Sequence, residues 1–169
     1  MRRIGILLAF GLLAGPVAAQ PYQDPPREWT TGYGQGILEA AIRNGAGASF
    51  ALSCARDARG PENPPTGAEF TLTLPRAGQA GEADGLEGVI TVDARSFEMR
   101  FDRRVIGRES FYTARAFNPR AGQHFAEIIS ALRRGRRLSV YVPPDRLRQT
   151  FSLAGASRAL RGLPPPASC

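Results

Sequence analysis

Apolar and polar residues alternate with a period of two along much of this chain, the signature of strands with one face buried and the other in water. In "GVITVDARSFEMRFD" (88–102), Ile90 and Val92 share one face, and Phe97, Met99 and Phe101 recur at the same spacing. Asp93–Ser96 can make the turn between them, so the stretch predicts an antiparallel hairpin. "AEFTLTL" (68–74) sets Phe70, Leu72 and Leu74 on one side of a half-buried strand, and "ESFYTARAF" (109–117) is an aromatic strand candidate. "RLSVYV" (137–142) alternates through Leu138, Val140 and Val142 until Pro143-Pro144 stops it, and Phe151 to Leu153 gives a short further strand. In "ILEAAIRNGAGASFALSCAR" (37–56), Leu38, Ala40 and Ile42 alternate, "NGAG" turns the chain, and Phe50, Leu52 and Cys54 alternate again. A helix over Ile37–Arg43 that ends at Asn44-Gly45 fits that first run nearly as well, through Leu38, Ala41 and Ile42.

The period changes to helical in "QHFAEIISALRRG" (123–135), where Phe125, Ile128, Ile129 and Leu132 fall on one side. A small-residue helix packing Ala156, Leu160 and Leu163 follows, ended by Pro164–Pro166. "DARGPENPPTG" (57–67) and "PRAGQAGEADGLEG" (75–88) read as polar loops. Strands outnumber helices, and no βαβ alternation or internal repeat is visible. The pattern predicts a mainly β (β-rich α+β) fold: a single antiparallel sandwich or barrel-like domain over residues 36–169, with one or two packed helices.

The start of the chain has another character. In "MRRIGILLAFGLLAGPVAAQ", Arg2 and Arg3 precede a short apolar run from Ile4 to Leu13, and Val17-Ala18-Ala19 offers small residues for cleavage. Residues 1–19 therefore read as a bacterial signal peptide, too short in its apolar part to span a bilayer. Residues 20–35 read as a flexible Pro/Gly-rich lead, with Trp29 as a core anchor near the domain start or, alternatively, a stacking platform for a ligand. The expected location is periplasmic or secreted, with no transmembrane span once the signal is removed. Export places the only two cysteines, Cys54 and Cys169, in an oxidising compartment and predicts a disulfide between them. Cys54 shares the predicted inward face of Phe50 and Leu52. An intermolecular bond through Cys169 and two free thiols are the alternatives.

Charge raises a question at "ALRRGRRLSV" (131–140). All 22 basic residues are Arg, and they are unevenly spread: residues 20–99 hold 6 Arg against 11 acids, whereas residues 100–169 hold 14 against 4. Arg133, Arg134, Arg136 and Arg137 could thus form an anion-binding site. Each also has a structural use. Arg133 and Arg134 fit the negative end of the helix dipole, Gly135 a left-handed cap, and Arg136 and Arg137 the start of an edge strand. Export disfavours nucleic acid and leaves an envelope protein or another anionic surface as the expected partner.

Catalytic chemistry is thin. His124 is the single histidine and flanks its helix's apolar face, so it reads as a packing residue. Asp93 and Glu98 read as a turn residue and a solvent-facing strand residue. No metal-ligand spacing, phosphate loop, dinucleotide fingerprint or nucleophile elbow occurs, so neither a metal nor a cofactor is expected.

The order "SFALSC", a "VD" turn, a helix ending "LRRG", the strand "LSVYV", then "FSLAGASRAL" and a terminal Cys resembles small exported bacterial proteins associated with type VI secretion. More loosely it is similar to the invasion-associated locus B family, which carries a further cysteine pair before the helix that this chain lacks. The resemblance spans about Trp29 to Cys169. It implies a non-catalytic accessory or interaction module of the cell envelope. An envelope polyanion-binding protein that uses the Arg-rich half is the alternative reading, and a periplasmic hydrolase the lesser one.

Overall fold

The computed structural model describes residues 28–55, 67–75, 81–116, 118–166 and 169. The expected signal peptide, the first half of the lead that follows it (20–27) and nearly all of the loop at 57–67 lie outside these residues. The described strands are β1 (Thr30–Gly34), β2 (Ile37–Arg43), β3 (Ser49–Ala55), β4 (Ala68–Leu74), β5 (Ala83–Val92), β6 (Arg95–Ile106), β7 (Glu109–Arg115), β8 (Arg137–Val142) and β9 (Leu147–Ser152). Helix α1 (Pro119–Arg134) joins β7 to β8, and a short α2 (Ala156–Ala159) follows β9. The strands form one curled sheet in the order β1-β2-β3-β4-β7-β6-β5-β8-β9, with every neighbouring pair antiparallel. The fold is mainly β, as the alternation predicts. Of the two architectures expected, it is the barrel-like one, a half-barrel rather than two stacked sheets.

The concave face holds the core. Ile42 lies opposite Phe50, Phe50 opposite Leu72, Ile90 opposite Phe97, and Leu138 opposite Phe151, and all are buried. This register resolves residues 37–43 as a strand, because Ala40 and Ile42 both turn inward. Helix α1 covers this face with Phe125, Ile128 and Leu132. Phe125 stacks on Phe70 at 4.5 Å, and Phe70 on Phe50 at 5.5 Å, so helix and sheet share one aromatic column. Each such ring contributes about 1.5–3 kcal/mol by leaving water. Ile129, at the margin of the helical stripe, is only partly buried.

Several boundaries differ from expectation. Strand β1 falls inside the segment read as a lead, and Trp29 just before it is buried. Thr-Thr-Gly-Tyr-Gly has no apolar alternation, so its pairing with β2 left no periodic trace. Strand β5 begins at Ala83, inside a stretch read as loop, and carries a register shift between Ala83 and Leu86, where Gly85 has φ 64°. Such irregularities sharpen sheet curvature. The β5–β6 turn is two residues, Asp93-Ala94, with Asp93 at φ 51°, rather than the four residues Asp93–Ser96. Strand β8 is not an edge, since β5 and β9 flank it, so Arg136 and Arg137 do not guard one. Gly135 is no left-handed cap either: its φ and ψ are −79° and 173°. Glycine is needed there for room, because a Cβ would lie 2.4 Å from Val92 Cγ1 and 2.9 Å from Leu153 Cδ1.

Side chains close the seam where β9 approaches β2. The indole N–H of Trp29 donates to the Ser152 carbonyl (3.1 Å), the Trp29 backbone N–H to Ala154 (3.1 Å), and the Asn44 amide to Thr150 (3.3 Å). Trp29 is thus the core anchor of the two uses considered. The Cys54–Cys169 disulfide is present, with its Cα atoms 5.1 Å apart, and ties the chain end to β3.

Candidate functional site

The seam carries a cleft of about 510 Å³ lined by Arg43, Asn44, Gly45, Arg136, Arg137, Thr150, Phe151 and Ser152. Period-two geometry puts Arg43 and Arg137 there, and Arg136 lies just before β8. Ile42 and Leu138 face inward, so their neighbours Arg43 and Arg137 face out. Asn44 shapes one wall: its side-chain oxygen accepts from the N–H groups of Ala46 and Ala48, both at 3.0 Å, while its amide reaches Gln149 at 2.9 Å. Asp93 shapes the other. Its carboxylate accepts from the backbone N–H groups of Arg136 (3.2 Å) and Arg137 (3.0 Å), and its own N–H donates to the Arg137 carbonyl (3.0 Å). Asp93 therefore fixes the backbone under the two arginines. Among the described residues, no ion pair engages Arg43, Arg136 or Arg137.

The structure splits the expected arginine quartet. Arg136 and Arg137 line the cleft, joined by Arg43 from the other side of the sheet. Arg133 and Arg134 are exposed in the last turn of α1, where Arg134 donates to Ser130 Oγ at 2.6 Å, and they do not line the cleft. Arg43 was missed because 93 positions separate it from Arg136 in sequence. Its only trace is its place after Ile42 in an alternating strand.

A second polar group lies on the concave face. Arg103 (7% exposed) sits directly opposite Tyr112 on β7, and both reach Asp145 in the 3₁₀ turn Pro143–Asp145. The Arg103 guanidinium pairs with Asp145 Oδ1, the Tyr112 hydroxyl donates to Oδ2 at 2.7 Å, and Arg103 Nε donates to the Gly81 carbonyl at 2.5 Å. Burial, then the hydrogen bond to Asp145, push the Tyr112 hydroxyl up to about 12. Burial alone would raise Asp145, but the hydrogen bonds from Arg103 and Tyr112 and the Arg103 charge outweigh it and hold the carboxylate below its ordinary range. The hydrogen bond to Asp145, working against desolvation, raises Arg103. This is a closed, satisfied network that ties the turn to the sheet. The sequence did carry a signal for it, since alternation sets Arg103 on the same face as Phe101.

Other candidates take structural places. His124 Nε2 donates to the Glu98 carbonyl at 3.0 Å, and its ring meets Phe97 edge-on at 6.0 Å. Glu98 is exposed. A hollow of about 570 Å³ at β5 and β6 sets Glu87 and Glu98 beside Arg100, so its charge is mixed, unlike that of the basic cleft. Among the described residues, no group of three or more His, Cys, Asp or Glu is placed to hold a metal, and no helix is long and apolar enough to cross a membrane.

Fold and site together define a disulfide-tied half-barrel with a basic cleft at its seam. The chain belongs to the YfjT family, whose family model matches residues 27–160. No curated protein and no solved structure matches it at a significant level.

Proposed function

We propose that this YfjT-family protein is an exported, non-catalytic module of the bacterial cell envelope that holds an anionic partner in the Arg43–Arg136–Arg137 cleft. One observation carries the reading: three arginines from opposite sides of the seam line one cleft, and the nearby Asp93 carboxylate is engaged by the backbone N–H groups of Arg136 and Arg137. Each can give a charge-assisted, bidentate contact to an anionic oxygen pair, worth about 1.5–3 kcal/mol where water is displaced. The disulfide and the signal-like start of the chain support a periplasmic or secreted location, and the resemblance to exported type VI secretion-associated proteins points the same way. In that compartment the partner is an envelope polyanion or an acidic protein surface and not nucleic acid. Heparin chromatography tests this. The wild type should be retained at low salt and released as salt rises. The triple variant Arg43→Gln/Arg136→Gln/Arg137→Gln should elute far earlier, while Arg133→Gln/Arg134→Gln elutes close to wild type. Equal retention of wild type and triple variant would reject the cleft.

A further inference from the structure

The basic cleft does not end at the β2–β3 turn. On the other side of that turn lies a hollow of about 600 Å³ lined by Gly45, Ala46, Gly47, Ala48, Leu74, Pro75 and Gln149. Gly45 belongs to both. The two sides differ in chemistry. The cleft offers donors: three guanidinium groups and the Thr150 hydroxyl. The hollow offers mainly backbone acceptors, because the N–H groups of Ala46, Gly47 and Ala48 are all spent on Asn44 and Pro75 has no N–H, with the Gln149 amide as a side-chain donor beside them. Its exposed turn would also leave peptide carbonyls dry beneath a hydrocarbon chain. A ligand that satisfies both sides has a compact anion at one end and a neutral, hydroxyl-bearing body at the other.

The anion's valence follows from the cleft. A single carboxylate is matched by one bidentate arginine, whereas three arginines that form no ion pair among the described residues and outnumber the one neighbouring carboxylate, Asp93, suit a tetrahedral group with three terminal oxygens and about −1.5 to −2 of charge. We infer that the groove on both sides of the β2–β3 turn binds a phosphate monoester of a neutral saccharide or polyol, phosphate against Arg43, Arg136 and Arg137, hydroxyls over Gly45–Ala48. This rests on the anion-binding reading of the same cleft and narrows it to one ligand class.

Calorimetric titration of the oxidised full-length protein with glucose 6-phosphate, inorganic phosphate, glucuronate and glucose separates the possibilities. Glucose 6-phosphate should bind about tenfold or more tighter than inorganic phosphate or glucuronate, the scale of one or two further hydrogen bonds. Glucose should not bind. The Cβ position of Gly45 is open, so Gly45→Phe should fill the junction without strain. On that variant glucose 6-phosphate should bind no tighter than inorganic phosphate. Arg43→Gln/Arg137→Gln should weaken both phosphates. Vesicles bearing a phosphorylated glucosamine lipid identify the source: co-sedimentation competed by glucose 6-phosphate marks a lipid headgroup, and tight binding of the free sugar phosphate without co-sedimentation marks a soluble one. Equal affinity for glucose 6-phosphate and inorganic phosphate, indifference to Gly45→Phe, or glucuronate binding as tightly would overturn the ligand class. Heparin retention that still depends on the three arginines would then leave the anion-binding reading standing, and its loss would remove both.

Discussion

Two glycines in and beside α1 show how one substitution can take opposite signs. At Gly135 an added methyl meets Val92 and Leu153 well inside contact distance, so Gly135→Ala should cost about 1–3 kcal/mol and displace the arginines that follow it. Gly122 lies within the helix, and nothing stands within 4 Å of its Cβ position. Gly122→Ala should therefore stabilise by about 0.5–1 kcal/mol through helix propensity. Urea unfolding of both variants checks the pair. Tyr112 gives a pH-dependent counterpart. Its folded-state pKa of about 12 stands above the ordinary 10.0, so the neutral phenol stabilises the fold below pH 10, and that contribution is lost as pH climbs from 10 towards 12. Asp145 works at the other end: its lowered pKa gives stability that is present above the ordinary carboxylate range and lost as pH falls below it. Tyr112→Phe deprives Asp145 Oδ2 of a donor and should cost about 1 kcal/mol at neutral pH. The gap between wild type and Tyr112→Phe in urea titrations should close between pH 10 and 12; a constant gap would contradict the alkaline role of the phenol.

At the scale of elements, α1 depends on a cap that the sequence pattern did not bring out. The side chain of Asn118 accepts from the Ala121 N–H at 2.9 Å, and Pro119 occupies the first turn, where its missing N–H costs nothing. Asn118→Ala should destabilise by about 0.5–2 kcal/mol in thermal unfolding, and Asn118→Asp much less, since Asp caps equally well. The elements legible in the sequence are those with one dry face: Phe50 to Cys54, Phe70 to Leu74, Ile90 to Phe101, and Leu138 to Val142 alternate because every second residue meets the core. Those that escaped lack such a face over part of their length. All five residues of β1 are exposed, β5 opens through exposed Asp84 and Gly85, and the first residues of β9 carry Arg148 and Gln149. Residues that meet only through sheet curl leave no periodicity at all. Hence Arg136 and Arg137 were visible as a charge run, whereas the approach of Arg43 to them was not; for Arg103 and Tyr112, cross-strand partners, alternation showed the inward face of Arg103 but not its meeting with Asp145.

At the scale of the whole molecule, the disulfide and the basic cleft sit at opposite ends of the β2–β3 hairpin. Cys54 lies opposite Leu38 near one end, and Arg43 lies opposite Ser49 at the other. The bond spans 115 positions, so chain entropy alone assigns it about 4–5 kcal/mol, acting on the unfolded chain. What it ties down in the folded state is the segment after α2, whose Ala156 and Ala159, with Leu160 beyond, are buried in the same core as Trp29 and Phe151. The cleft's own geometry comes from Asn44, Asp93 and the seam bonds of Trp29, none of which involves Cys54 or Cys169. Cys169→Ser should accordingly lower the melting temperature by on the order of 10 °C, given about 2–4 °C per kcal/mol in a domain of this size. Heparin retention measured well below that new midpoint should stay as in the oxidised wild type. Calorimetry and chromatography on the same preparation settle the matter: a melting temperature unchanged on reduction would deny the bond its stabilising role, and retention lost while the fold persists would mean that the disulfide shapes the cleft after all.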